Sequence, residues 1–448
     1  MPEPVVAPHR AGGWLPLDGN IMVAWLRRLV EDVDGRGEVP ALANEVDDLR
    51  KLIDSRADLR MLASAMLDEV PAKAPYLDDP VGNRQIRHVG HLLELFSVIM
   101  TEKAPEWSQR GCDVGLIGFP FNALLDWPMA TPSGYAFFLM PEVNARLRAI
   151  LDAWRDELLA TPASRYVLTA DENMWLGGPA LRAMERDGNL DGGSLPFDRL
   201  FRCDPTADHW GFRSWDDFFA RRFRDVDALR PVASRDDAAC VVAACESRPF
   251  ALRSNVGRRD GFWLKGQPYS LDEMLDGHPW VGDLVGGTVY QAFLGATSYH
   301  RWHSHVAGTV VRTELIAGTY FSEPTMAGFY DDEGPDPAGP GLAQGYIAHV
   351  ATRAIFYIEA DEPVGRTVFV AVGMADVSTC RIHKRFRTGR PTRVDKGEEI
   401  GSFHHGGSTH CLIFRRGLDM DWVDEAKIGR SDRSMAVRSK LATVRAAT

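Results

Sequence analysis

The sequence lacks the features that mark secreted and nucleic-acid-binding proteins. Its six cysteines are scattered over 448 residues and none forms a CxxC pair, which is typical of reduced thiols rather than of a disulfide framework. Basic residues are in deficit, because 51 Lys and Arg stand against 62 Asp and Glu and the net charge is −11. A nucleic-acid partner is therefore not expected, since such proteins carry basic patches.

Long apolar runs are also missing. The first twenty residues contain no basic start followed by an apolar core, so the sequence predicts no secretion signal. The most apolar region, 115–140, is interrupted by Asp126 and by three prolines, whereas a spanning helix needs about 20 apolar residues. We therefore expect a cytoplasmic protein and expect no membrane partner.

The chain shows two different sequence patterns, one helical and one strand-like, and together they predict an α+β fold. Apolar residues recur at intervals of three and four, which predicts helices at 21–33, 45–67, 88–100, 142–160 and 214–232. From about 241, short runs rich in Val, Ile, Thr and Phe alternate with glycine turns, which predicts strands. We expect a helical N-terminal domain over 1–175 and a β-rich domain over 176–448. The N-terminal helices have two open roles: covering the second domain, or forming the interface of a homo-oligomer.

A Gly-Gly-Ser-Thr turn, Gly406, Gly407, Ser408 and Thr409, lies between two predicted strands. Glycine adopts backbone angles that other residues avoid, so the Gly407 carbonyl can be held beside the Ser408 hydroxyl. Attack by the hydroxyl would give an ester, and loss of the Ser408 α-proton would release a Gly407 carboxylate and leave dehydroalanine. Dehydroalanine hydrolyses to a pyruvoyl group and ammonia. Alone, however, such a sequence is usually only a turn.

Three histidines, His300, His303 and His305, fall within six residues. A histidine can act as a general base on a serine hydroxyl, but the HxxH and HxH spacings fit a metal site equally well. The residues alone leave both alternatives open. Glu246 ends a predicted strand, where its carboxylate could orient one of these histidines.

These segments together resemble the phosphatidylserine decarboxylase family. The motifs that carry the resemblance are AACESR at 243–248, KGQPYSL at 265–271, YHRWH at 299–303, VGMADVST at 372–379 and GGST at 406–409. The similarity covers roughly 200–448. With the GFRSWDDFFARRFR stretch that ends at Arg224, it is greatest to the soluble, pyruvoyl-dependent L-tryptophan and aromatic amino-acid decarboxylases of that family.

The resemblance implies that the β-rich domain is catalytic and that the chain cuts itself. The cut would fall between Gly407 and Ser408 and would give the chains 1–407 and 408–448. Ser408 would become the pyruvoyl cofactor.

The resemblance also assigns roles to three further residues. It implies that His303 is the base of the self-cleavage and that Glu246 orients His303. His300 is implicated in the decarboxylation step. A metal site is disfavoured, because the family uses no metal.

The implied reaction is decarboxylation of a free aromatic L-amino acid, with L-tryptophan to tryptamine as the best candidate. The substrate would form a Schiff base with the Ser408-derived pyruvoyl group. An apolar pocket is required, and Trp302, Phe321 and Phe403 lie near the motifs in sequence. The segment 322–345 is either a lid or a surface excursion. The alternatives are a phosphatidylserine decarboxylase making phosphatidylethanolamine, and a non-catalytic metal-binding protein on this fold.

Overall fold

Helices form the N-terminal part of the protein. The computed structural model describes residues 19–37, 41–69, 86, 88–107, 120–190, 192–259, 270–322, 343–374, 376, 379–430 and 433–445. The longer helices come first: α1 (Gly19–Asp34), α2 (Asn44–Ser55), α3 (Ala57–Asp68), α4 (Val89–Glu102), α5 (Pro120–Ala130), α6 (Pro132–Leu139) and α7 (Pro141–Ala153). Further along the chain come α8 (Gly178–Gly188) and then six helices of four to seven residues: α9 (Phe197–Leu200), α10 (Trp215–Phe219), α11 (Val226–Leu229), α12 (Leu271–Met274), α13 (Val281–Leu284) and α14 (Gln344–Val350).

Two predicted helices are broken in the structure. The segment 45–67 divides into α2 and α3 at Arg56, whose backbone is extended (φ −127°, ψ 122°). The segment 214–232 begins as predicted, since the Ser214 hydroxyl accepts from the Asp217 N–H at 3.2 Å and so caps α10. Helix α10 then ends at Phe219 and α11 starts at Val226.

The strands form one large sheet and two small ones. They are β1 (Cys240–Val242), β2 (Arg248–Ser254), β3 (Thr288–Leu294), β4 (Arg301–His303), β5 (Gly308–Ile316), β6 (Arg353–Ala360), β7 (Arg366–Gly373), β8 (Thr379–Ile382), β9 (Thr392–Val394), β10 (Glu399–His404), β11 (Ser408–Phe414), β12 (Met420–Trp422) and β13 (Lys440–Val444). The seven-stranded sheet has the order β2-β3-β11-β7-β6-β5-β9. The three-stranded sheets have the orders β1-β13-β12 and β4-β10-β8.

The large sheet separates two hydrophobic cores, because successive side chains of a strand point to opposite faces. On β11, Cys411 and Ile413 pack on the core that contains the N-terminal helices. Leu412 and Phe414 pack on the other core, with the small sheets and Trp302. The molecule therefore has three layers: helices, a seven-stranded sheet, and two three-stranded sheets.

The Gly-Gly-Ser-Thr turn lies where the chain passes from one sheet to another. Strand β10 belongs to a three-stranded sheet, and β11 lies in the middle of the seven-stranded sheet between β3 and β7. The residues 405–407 connect them. This turn is therefore a junction between two layers and not a hairpin.

The predicted α+β class, with helices before strands, is confirmed. Among the described residues, no helix combines the length and the apolar content that crossing a membrane requires. Several predictions fall partly or wholly outside the described residues: the thiol of Cys112, most of the KGQPYSL motif, part of the VGMADVST motif, and most of the lid or excursion at 322–345. The domain limits at 175 and 176 stay a prediction.

Candidate active site

The turn before Ser408 has an unusual backbone. Gly406 has φ 110° and His405 has φ 50°. Glycine adopts the first angle without penalty, whereas the left-handed region costs a residue with a side chain. The chain therefore reaches Gly407 through two successive left-handed residues, the second of which has to be glycine.

Ser408 is a buried hydroxyl next to a carbonyl that already accepts a hydrogen bond. Ser408 is fully buried, and its Oγ has no hydrogen-bond partner in the described part of the chain. The Met374 N–H donates to the Gly407 carbonyl oxygen at 2.9 Å. A donor at this position polarises the carbonyl and stabilises negative charge that develops on its oxygen.

Thr409 anchors the beginning of strand β11, directly after the junction. Its hydroxyl donates to the Ala292 carbonyl at 2.9 Å and lies 3.2 Å from Gln291 Nε2, which can donate to it. Both partners lie on β3. Thr409 therefore holds the start of β11 to its neighbour strand.

His303 is neutral, with a defined tautomer. Its Nδ1 lies 2.8 Å from the Gly397 carbonyl oxygen. Because a carbonyl only accepts, Nδ1 carries the proton and Nε2 is the basic nitrogen. That Nε2 atom lies 3.5 Å from the Tyr299 hydroxyl. Burial lowers the pKa of His303 to about 4, so the ring is an available proton acceptor near pH 7.

His300 lies nearer to the junction than His303 does. The Phe403 N–H donates to the His300 carbonyl at 2.9 Å, whereas His303 pairs with Glu399. His303 is thus roughly 10 Å further along the strand from the turn. The His300 ring stacks on Phe219, with centroids 4.0 Å apart.

The surroundings of His300 keep it uncharged. Neither ring nitrogen has a hydrogen bond of good geometry to another described residue. Burial lowers the pKa of His300 well below its usual value, and the positive charge of Arg221 lowers it further. The Arg221 guanidinium is itself buried and donates to the Thr297 and Ser298 carbonyls.

Glu246 pairs with Arg230, and the structure does not bring it into hydrogen-bond contact with His303. Its carboxylate accepts from Arg230 Nε, and both side chains are buried. Burial raises the pKa of Glu246, and the positive charge of Arg230 opposes that shift. The nitrogen of His303 that an acid would orient is occupied by the Gly397 carbonyl.

The three clustered histidines do not converge. His305 Nε2 lies 2.9 Å from the Thr367 hydroxyl, while His303 binds a backbone carbonyl and His300 stacks on a phenyl ring. Over the residues that the structure describes, no three His, Cys, Asp or Glu side chains are grouped to hold a metal.

Helix α10 holds the two histidines that precede the glycines. Trp215 Nε1 donates to His405 Nδ1 at 3.2 Å. His404 Nδ1 lies 2.9 Å from the Asp216 carboxylate. Two consecutive residues of one helix therefore bind His404 at the end of β10 and His405 at the start of the junction. Phe219 of the same helix stacks on His300.

The hydrogen bond from Trp215 determines the tautomer of His405. Since Nδ1 accepts, the proton of the neutral ring is on Nε2. Burial lowers the pKa of His405 to about 3, so the ring stays neutral. No hydrogen-bond partner of Nε2 occurs among the described residues. His405 therefore presents a fixed N–H donor three positions before Ser408.

A recess adjoins the junction on the helical side of the large sheet. It is lined by the segment 319–322 and by Asn122, Met129, Ile347, Ala351, Gly373 and Met374. Phe321, one of the predicted pocket residues, lies in this lining. Trp302 and Phe403 do not. Their rings pack against each other with centroids 4.8 Å apart, and both are fully buried in the core on the other side of the sheet.

Sequence reasoning missed several residues that the fold brings to the junction: Trp215, Asp216, Met374, His404 and His405. Signals for them were present, because Trp215 and Asp216 lie in a stretch that carries the family resemblance and the two histidines directly precede the glycines. Met374 acts through its backbone N–H, which no side-chain pattern reveals.

Two family models match the chain, and both describe phosphatidylserine decarboxylases. One matches residues 43–184 and the other residues 215–434. The first match covers most of the N-terminal helices, and the second covers the junction and the clustered histidines.

Curated relatives agree with the family models. Decarboxylase iboD of Amanita muscaria is 37% identical over 70% of this chain and 88% of its own. An L-tryptophan decarboxylase of Psilocybe cubensis is 33% identical over 76% of this chain and 75% of its own. A phosphatidylserine decarboxylase proenzyme of Clostridium perfringens is 28% identical over 51% of this chain and 70% of its own. The chain is a carboxy-lyase that belongs to the phosphatidylserine decarboxylase family, whose enzymes carry a pyruvoyl group made from one of their own serines.

Proposed function

We propose that the chain cuts itself between Gly407 and Ser408 and then decarboxylates a free aromatic L-amino acid, with L-tryptophan as the best candidate. The observation that carries the proposal is the buried Ser408 hydroxyl, which no described residue engages. It directly follows a carbonyl that already accepts from the Met374 N–H. These surroundings fit the precursor of a pyruvoyl group, because nucleophile and electrophile are adjacent and a donor for the oxyanion is in place.

The cut requires two proton transfers by the chain. As Ser408 Oγ attacks the Gly407 carbonyl carbon, its proton passes to a base. The resemblance to the family assigns this base to His303, although its backbone lies further from the turn than that of His300. The base returns this proton to the peptide nitrogen as the C–N bond breaks, and an ester joins the two residues. Removal of the Ser408 α-proton then breaks the ester and releases Gly407 as a carboxylate. Addition of water and loss of ammonia complete the conversion.

In the decarboxylation, the pyruvoyl ketone supplies the electron sink for the loss of CO2. The other residues have to hold the substrate and return a proton to its α-carbon. We assign this proton transfer to His300, which lies beside the junction. Because its pKa is lowered, His300 is neutral in the resting site, so it has to take up a proton during the reaction before it can return one to carbon.

The choice of substrate is supported by the relatives and by the recess. The Psilocybe enzyme named for L-tryptophan aligns with more of this chain than the Clostridium enzyme named for phosphatidylserine does. Met129 and Phe321 give the recess apolar walls, as an aromatic side chain requires. Phosphatidylserine is the competing substrate, which the names of both family models favour.

Intact mass and product analysis test the proposal. Mass spectrometry of the purified protein should show the chains 1–407 and 408–448, the second with a pyruvoyl start. Tryptophan should then yield tryptamine and CO2. If the protein decarboxylates phosphatidylserine in liposomes but no free amino acid, then phosphatidylserine is the substrate and the assignment of tryptophan is wrong. One uncut chain in active material would refute the mechanism.

Two histidine variants separate the assigned roles. His303→Gln should slow or stop the cut, because it removes the basic nitrogen. His300→Gln should still cut but decarboxylate poorly. If His300→Gln stops the cut and His303→Gln does not, then the two roles are exchanged, as the shorter distance of His300 from the junction would allow.

A further inference from the structure

The recess ends beside the carbon that becomes the ketone. Gly373 lines the recess and is the register partner of Ser408 across β7 and β11. Directly opposed Cα atoms in an antiparallel pair lie about 5 Å apart. Gly373 therefore brings the edge of the recess to within about 5 Å of the Ser408 Cα.

The N-terminal helices form one wall of the recess. Asn122 and Met129, both on α5, line it. The start of α5 is tied to the catalytic domain, because the Asp376 carboxylate accepts from the N–H groups of Phe121 and Asn122 at 3.1 and 3.0 Å. Asp376 lies two positions after Met374, whose N–H holds the Gly407 carbonyl. One short segment thus holds both α5 and the scissile carbonyl.

Asn122 offers an unused hydrogen-bond acceptor in this wall. Its side chain is 1% exposed, and Oδ1 has no partner anywhere in the described ranges. Buried polar atoms of proteins are almost always hydrogen-bonded, and an exception calls for an explanation. A ligand that donates a hydrogen bond to Oδ1 within the recess would explain this unpaired atom.

We infer that the recess is the substrate subsite and that Asn122 Oδ1 accepts a hydrogen bond from an N–H group of the amino-acid substrate. The inference deepens the proposed function and rests on it. The donor is either the indole N–H of the side chain or the α-amine before it reacts. The N-terminal helices thereby acquire a role in substrate selection, in addition to covering the sheet.

Binding measurements with the cut enzyme test this inference without relying on turnover. Two ligands without an α-amine, 3-indolepropionate and 3-phenylpropionate, differ in the indole N–H and are compared by calorimetry. Asn122→Leu removes the acceptor at nearly constant volume. Met129→Leu is the matched control, since it changes the same helix and the same wall without removing a polar atom that the inference uses.

Three outcomes are distinguishable. If Asn122→Leu lowers the affinity for 3-indolepropionate about tenfold and leaves the affinity for 3-phenylpropionate unchanged, the indole N–H is the donor. If both ligands bind as before but the KM values for tryptophan and phenylalanine rise about tenfold, the α-amine is the donor. If neither changes relative to Met129→Leu, the inference is wrong. A wild-type enzyme that releases no CO2 from any amino acid would instead reject the proposed function.

Discussion

The interior around helix α4 and the junction between β10 and β11 are both buried, yet they differ in where their polar groups lie and whether these groups have partners. Around α4 the interior is apolar, with Leu95 and Phe96 almost inaccessible. Charged residues of this part remain near the surface and pair there, as Arg36 and Glu102 do at 2.7 Å. At the junction, the buried atoms Ser408 Oγ and His405 Nε2 have no partner among the residues that the structure describes.

On the proposed mechanism, this difference separates the part that stabilises the protein from the part that performs chemistry. A buried polar atom without a hydrogen bond costs about 1–3 kcal/mol. The helical core incurs that cost at scattered atoms such as Trp107 Nε1 and Asn122 Oδ1, whereas the junction concentrates it on Ser408 and on the histidines around it. A nucleophile that has to attack a neighbouring carbonyl cannot be engaged elsewhere, so the cost follows from function. Substitutions in the two regions should therefore affect stability and self-cleavage independently.

Ser408→Ala should have the largest effect, because it removes the nucleophile. We expect a single uncut chain with no decarboxylase activity and with unchanged or increased stability, since an unpaired buried hydroxyl is lost. Intact mass and urea unfolding measure the two quantities. Ser439→Ala, which removes a hydroxyl bonded to the Ala436 carbonyl, is the control and should cut normally. Two fragments from Ser408→Ala would contradict the mechanism.

Acidification should destabilise the uncut Ser408→Ala chain. Burial lowers the pKa of five fully buried histidines of the β-rich part, namely His300, His303, His305, His405 and His410, and of the partly exposed His278. In the unfolded chain they titrate near 6.5, so unfolding takes up protons from about pH 6.5 down to the folded-state pKa values, which are about 3 for His305, His405 and His410. The unfolding free energy should therefore be highest above pH 6.5 and fall as the pH decreases.

Urea midpoints at several pH values measure this dependence. His405→Gln removes one titrating group, so its slope should be smaller by at most one proton. A stability that is independent of pH between 7 and 5 would mean that these rings are not buried in neutral form.

Leu95→Ala should lower the unfolding free energy by about 2–5 kcal/mol, because it leaves a cavity in a closely packed core. The cut should nevertheless go to completion at a permissive temperature, since Leu95 is remote in sequence from the junction and belongs to the helical core. Urea unfolding and gel analysis give both results. A folded but uncut Leu95→Ala protein would show that the two regions are not separable.

Trp215→Phe should have the smallest effect. It keeps an aromatic ring but removes the donor to His405, and one hydrogen bond of about 1 kcal/mol corresponds to a cut that is roughly fivefold slower. The control is Trp175→Phe. Trp175 packs on Trp215 with centroids 4.6 Å apart, but its Nε1 donates to the Pro105 carbonyl. If both variants cut at the same rate, the hydrogen bond from Trp215 does not position the junction.

Much of the fold was predictable, because amphipathic spacing and strand composition are local signals. The breaks were not. Arg56 leaves the helical conformation although the apolar spacing continues through it. Two residues after the end of α10, the buried Arg221 guanidinium binds carbonyl oxygens 76 and 77 positions further along the chain. Contacts of that sequence separation cannot be read from a periodic pattern.

The candidate site divides in the same way. The sequence alone determined that a glycine pair precedes Ser408 and that histidines accompany it, since the motifs are contiguous. It could not determine which histidine nitrogen carries a proton, because that depends on Trp215 and on the Gly397 carbonyl. Nor could it show that Glu246 is engaged by Arg230.

Sequence by itself therefore determined the family, the class of fold and the bond that we expect to be cut, because each is encoded in short stretches of residues. The tertiary structure decided what surrounds that bond: a donor on its carbonyl, a helix that holds the preceding histidines, and a recess with one wall from the N-terminal helices. These features join segments far apart in the chain, and only burial against one another determines their protonation and hydrogen bonding.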